Sequence, residues 1–168
     1  MENPQEQAIQ QKIKFENQLK AGANWFYWIA GLSIVNAVLL FTGSDWGFVI
    51  GLGITQIIGG IGAVAAEDLG HIATIFAFVF TLIATGIFVL FGVFANKRYI
   101  WAFIVGMVIY ALDGLIFLLI QDWLSIGFHV FALFCIYSGL KAHFELRKLE
   151  STQAESPEQQ PLTEALAE

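Results

Sequence analysis

The sequence predicts an all-α integral membrane protein: a bundle of about five hydrophobic helices with short loops, a polar N-terminal helix and a disordered acidic C-terminal tail. Three observations predict it. The 168 residues are 57% hydrophobic and only 13% charged, where a soluble domain is about a quarter charged. Mean hydropathy is +0.69. The charges sit at the two ends and in short loops, which leaves apolar stretches near the roughly 20 residues a helix needs to cross a bilayer.

Residues 1–23 form a polar lead-in. Glu2, Glu6 and Glu16 interleave with Lys12, Lys14 and Lys20. A cleavable signal turns apolar early, so this start does not fit one, and the first apolar segment reads as a retained signal anchor. From residue 5 to 20 the composition favours helix, with a thin apolar stripe of Ile9, Ile13 and Leu19. Segment 24–41 opens with Trp25, Phe26, Tyr27 and Trp28, an aromatic belt where a helix enters the headgroups. Asn36 lies deeper in it.

Segment 47–66 places Gly47, Gly51, Thr55, Gly59 and Ala63 at every fourth position, one small-residue ridge, with Gln56 beside it. Helices in lipid associate by close backbone approach, which such ridges permit. Glycine also lowers helix propensity by about 1 kcal/mol against Ala. The segment therefore reads either as a packed span or as a kinked, re-entrant one. Segment 72–95 carries Ala73, Ala77, Thr81 and Thr85 as its own ridge. The short loop between predicts an antiparallel pair, small face to small face.

Segment 99–120 holds Asp113, on a face with Gly106, Tyr110, Gly114 and Phe117. Segment 123–140 sets Ser125, His129, Ala132, Ile136 and Gly139 on one face. Residues 141–150 extend that helix into water, where Glu145 can pair with Lys141 or Lys148. Residues 151–168 are rich in Gln, Glu, Ser and Pro, the composition of a disordered tail.

Asp113 is the most informative residue. A carboxyl at bilayer depth costs roughly 2.5–3.5 kcal/mol on insertion scales and needs a partner. The turn at Gln121 and Asp122 puts Asp113 and His129 both about 12 Å below it on facing helices. The spacing predicts a carboxylate–imidazole pair, which serves as interhelical glue or as a proton relay. Asn36 and Gln56 read as interhelical hydrogen-bonding residues, with a substrate contact as the sharper alternative. Glu67, Asp68 and His71 are the metal candidates, but three ligands in one loop lack a Cys or second His nearby. Asp68 reads more simply as the cap of segment 72–95. The lone Cys135 has no disulfide partner.

Phosphate loops, nucleotide fingerprints, zinc motifs and supported nucleophile–base orders are missing from the sequence. The soluble loops are too short for a catalytic domain, so no enzyme activity and no cofactor are expected. A net charge of −6 gives no nucleic-acid partner.

The 8 basic residues fall in three places: Lys12, Lys14 and Lys20; Lys97 and Arg98; Lys141, Arg147 and Lys148. The positive-inside rule puts loop 96–98 and the C-terminus in the cytoplasm, in the plasma membrane. With five full crossings the N-terminal lysines fall outside; with segment 47–66 re-entrant, all 8 fall inside. The side of the N-terminus stays open. Two functions compete. One is a structural or interaction component that self-associates or binds another membrane protein. The other is a proton-linked transporter or channel subunit using Asp113 and His129. The bilayer is a partner of both.

Overall fold

The computed structural model describes residues 4–42 and 51–155. Five helices occupy them: α1 (Pro4–Phe41), α2 (Gly53–Leu69), α3 (His71–Asn96), α4 (Ile100–Leu119) and α5 (Trp123–Glu155). Four of these, α1, α3, α4 and α5, are long and apolar enough to cross a membrane. The fifth, α2, has 17 residues, about 26 Å at 1.5 Å per residue, and falls short.

The lead-in and segment 24–41 are one continuous helix of 38 residues. Pro4 suits a first turn because its missing N–H would be unsatisfied there anyway, and Glu6 in that turn complements the helix dipole. The last helix also runs on, through 151–155, which the sequence assigned to the tail. The hydroxyls of Ser151 and Thr152 donate back to Lys148 O at 2.9 and 3.0 Å and continue the turn. The remainder of the tail, 156–168, lies outside the described residues, as do 1–3 and the 43–50 stretch that includes Gly47.

Segment 47–66 starts as a helix only at Gly53 and extends to Leu69. Gly51 has φ +153°, a conformation open to glycine and strained for side chains. Leu52 is extended (φ −83°, ψ 124°). The chain therefore enters α2 through a sharp break.

Phe26, Phe88, Phe91, Phe103, Tyr110 and Ile136 fill the core where α1, α3, α4 and α5 meet. Two backbones come into direct contact at Gly22 and Gly139, where a Cβ on Gly22 would lie 2.5 Å from Gly139 Cα. That approach locks α1 antiparallel to α5. Three chain regions then converge at one end. Arg98 donates to Glu16 at 2.8 Å and to Glu150 at 2.9 Å. Asn96 Nδ2 donates to Asn24 Oδ1 at 3.3 Å, and Gln18 Nε2 to Ser138 Oγ at 2.7 Å. The polar half of α1, the α3–α4 turn and the last turns of α5 thus share one end of the bundle. Thr42 and the α2–α3 and α4–α5 turns stand at the other.

Candidate functional site

The start of α2 lies inside the bundle. A helix N-terminus leaves its first N–H groups without intrahelical partners, and in a buried position each needs an acceptor. No side chain of α2 or of its own N-cap residue supplies one. The acceptors come from α1 and α4. Asp113 Oδ2 accepts from Gly53 N at 2.7 Å, and Asp113 Oδ1 from Ile54 N at 2.9 Å. Ser33 Oγ accepts from Leu52 N at 2.8 Å while donating to Ile29 O at 2.8 Å. Thr55 Oγ1 returns a bond to Leu52 O at 2.7 Å.

Asp113 has a third partner. His129 Nε2 is 3.1 Å from Asp113 Oδ2. The imidazole is 2% exposed. Its other nitrogen, Nδ1, lies 2.8 Å from Ser125 O. A carbonyl oxygen only accepts, so Nδ1 carries hydrogen. The Nε2–Oδ2 contact then requires one more proton, either on the imidazole or on the carboxyl, because two lone pairs would otherwise face each other. Tyr110 stacks on the ring (centroids 4.3 Å, 16°) and Phe117 closes the other side at 5.0 Å.

Small residues make this geometry possible. A Cβ on Gly53 would stand 2.6 Å from the Phe117 ring, and one on Gly114 would stand 3.0 Å from His129 Cδ2. Glycine at 53 lets the helix end reach Asp113, and glycine at 114 lets α5 bring the imidazole close. The shared face of Gly106, Tyr110, Asp113, Gly114 and Phe117 is buried throughout.

Of the other residues singled out in the sequence, Asn36 is buried beside Gly51, its Nδ2 3.0 Å from where a Gly51 Cβ would sit. Gln56, on α2, stands outside the contacts of Asp113, and its Nε2 is buried without a hydrogen-bond partner among the described residues. Tyr110 Oη is in the same position. Ala77 and Thr81 are buried on α3, but the close approach of α2 to α3 is made by Gly62, whose Cβ would lie 2.5 Å from Ala77 Cβ. Gly59 instead faces Leu40 of α1, and Gly51 faces Ser33. The expected pairing of α2 with α3 is thus made through Gly62 and Ala77, while Gly59 and Gly51 lie against α1.

Glu67, Asp68 and His71 are exposed at the α2–α3 turn. No group of three metal-capable side chains occurs among the described residues. Asp68 does not cap α3, whose N-cap is Gly70 (φ 64°), with no side-chain cap bond. The residues that sequence reasoning missed are Ser33 and Gly53. The break signalled by the glycines at 51 and 53 marked the place, but the acceptor for its freed N–H groups was not legible.

Comparison with protein-family models, characterised proteins and solved structures gives no match to this chain.

Proposed function

We propose that this is a membrane protein of four crossing helices and one re-entrant half-helix, and that its work is association, with copies of itself or with another membrane protein. The observation that carries this reading is a set of glycines facing away from the bundle. A Cβ on Gly31, Gly60, Gly86 or Gly127 would meet nothing within 4 Å. Each costs helix stability, about 1 kcal/mol against Ala in water, and gains no packing inside the chain. In lipid, outward small residues admit another helix.

The polar cluster supports the same reading. Ser33 is nine residues above Asn24, roughly 14 Å along α1, which is near mid-bilayer when the Asn24 level is one interface. A half-helix end at that depth attracts anions in many transporters. Here Asp113 of the same chain already occupies it. The cluster is then a clamp. With α2 re-entrant, all 8 basic residues lie on the side that holds Arg98, and the positive-inside rule makes that side, with both termini, cytoplasmic.

The test has two parts. Single-molecule photobleaching in liposomes should count dimers or larger assemblies as protein density rises. Gly31→Leu, Gly86→Leu and Gly127→Leu should reduce association, or recovery of a co-purifying membrane partner, without changing unfolding. Variants that leave both unaffected would remove the reading. Cysteines at Gln10 and Ser151, in a Cys135→Ser background, should resist an impermeant thiol reagent added outside cells. The second reading, proton handling, is favoured by the single proton required between His129 and Asp113. Proton flux in liposomes that Asp113→Asn abolishes would select it.

A further inference from the structure

Among the described residues, the end of the bundle around Arg98 carries more positive charge than its carboxylates engage. Arg98 is held by Glu16 and Glu150, and Lys148 pairs with Glu145 at 3.4 Å. Those three glutamates are then occupied. Glu6 is fourteen residues from Lys20, roughly 21 Å along α1. Lys20, Lys97 and Lys141 are exposed, and none has an ion-pair partner among the described residues.

These three lysines share a level. Gly22 and Gly139 touch backbone to backbone. Lys20 and Lys141 each stand two residues beyond that contact, toward the same end. Asn96 reaches Asn24, and Lys97 follows it. The three side chains, from three different elements, therefore fall within about one helical turn of each other in height, roughly 5 Å. Exposed aromatics mark the same zone: Trp28 and Trp101 on the apolar side, with Tyr99 in the turn. Lysines at the end of an apolar span extend toward the headgroup layer.

The geometry points to an anionic-lipid girdle: Lys20, Lys97 and Lys141 recruit lipids with negatively charged headgroups around the end of the bundle that holds Arg98. Each lysine is a compact charge suited to a phosphate, and among the described residues Glu16, Glu145 and Glu150 are engaged by Arg98 and Lys148 instead. A basic residue at an anionic surface gains about 1 kcal/mol, close to fivefold in local enrichment. The inference rests on the membrane reading above.

The test uses the full chain in phosphatidylcholine vesicles doped with phosphatidylglycerol, with one lipid or the other brominated on its acyl chains. Trp46→Phe and Trp123→Phe leave Trp25, Trp28 and Trp101, at the lysine end, as the tryptophan signal. Quenching by brominated phosphatidylcholine reports insertion, so its absence overturns the membrane reading itself. With insertion established, brominated phosphatidylglycerol should quench more strongly than its share of the lipid predicts. The K20Q/K97Q/K141Q variant should lower that preference at least about fivefold, whereas K20R/K97R/K141R should keep it. A distal set, K12Q/K14Q/R147Q, removes the same charge farther from the spans and should keep most of it. An unchanged preference in the girdle variant, or an equal loss in the distal set, overturns the inference.

Discussion

Replacing Asp113 should detach the start of α2 from the bundle, and the size of the loss follows from its three bonds. Asp113→Leu strands the N–H groups of Gly53 and Ile54, which now meet a carboxylate at 2.7 and 2.9 Å. A buried donor without an acceptor costs about 1–3 kcal/mol. His129 also loses a partner at 3.1 Å, worth about 1 kcal/mol. Partial relaxation of the α2 start lowers the sum, so a loss of about 3–5 kcal/mol is expected. Asp113→Asn is not mild either. The two carboxyl oxygens meet three partners, and an amide turns one of its two ends into a donor of two hydrogens. One N–H is then left facing an N–H, at about 1–3 kcal/mol. His129→Leu leaves both α2 bonds intact and should cost less, about 1–2 kcal/mol. The double change to Leu at 113 and 129 should recover little, because the stranded amides remain. Denaturant unfolding in bicelles gives the global values. Amide exchange at Gly53 and Ile54, compared with Val64, gives the local one. The reasoning fails if Asp113→Leu costs no more than His129→Leu, or if exchange at Gly53 and Ile54 does not accelerate.

Three further outcomes follow from the same contacts. Ser33→Ala should cost about 1–3 kcal/mol by unpairing Leu52 N–H, and Ser33→Thr should restore part of that; equal stability of Ala and wild type would mean the hydroxyl is not the cap. Gly62→Leu should destabilise the α2–α3 contact by more than Ala63→Leu, since residue 63 is exposed and a Cβ at 62 already meets Ala77 at 2.5 Å; detergent unfolding of the two variants decides it. The Asp122 carboxyl is held below its usual range by hydrogen bonds from the Ser125 hydroxyl and then from Ser125 N–H. Its depressed folded value means that its contribution is present above the unfolded pKa of about 3.9 and is lost as pH falls through the lower folded value. Wild type should therefore exceed Asp122→Ala in stability at pH 6, and the gap should close in strong acid; a gap independent of pH would exclude this linkage.

Much of this molecule is written along the chain. The apolar segments fixed four long helices because each satisfies its own backbone bonds, whatever surrounds it. The matched distances of Asp113 and His129 from a tight turn put them at one depth, since helical rise is the same in any context. The buried face around Asp113 could be read from spacing alone. What the chain order did not disclose depended on contacts between residues far apart. The helix at Gly53 begins where it does because a carboxylate sixty positions later accepts its first N–H. Gly59 meets α1 and Gly62 meets α3 because of how α2 is rotated within the bundle, and local pattern carries no such angle. The meeting of Glu16, Arg98 and Glu150 likewise needed α1, the α3–α4 turn and α5 to come together at one level. Period and length act within a segment, so sequence determines them; acceptors for a broken helix and partners for a charge arrive through packing, so only the tertiary structure decided them.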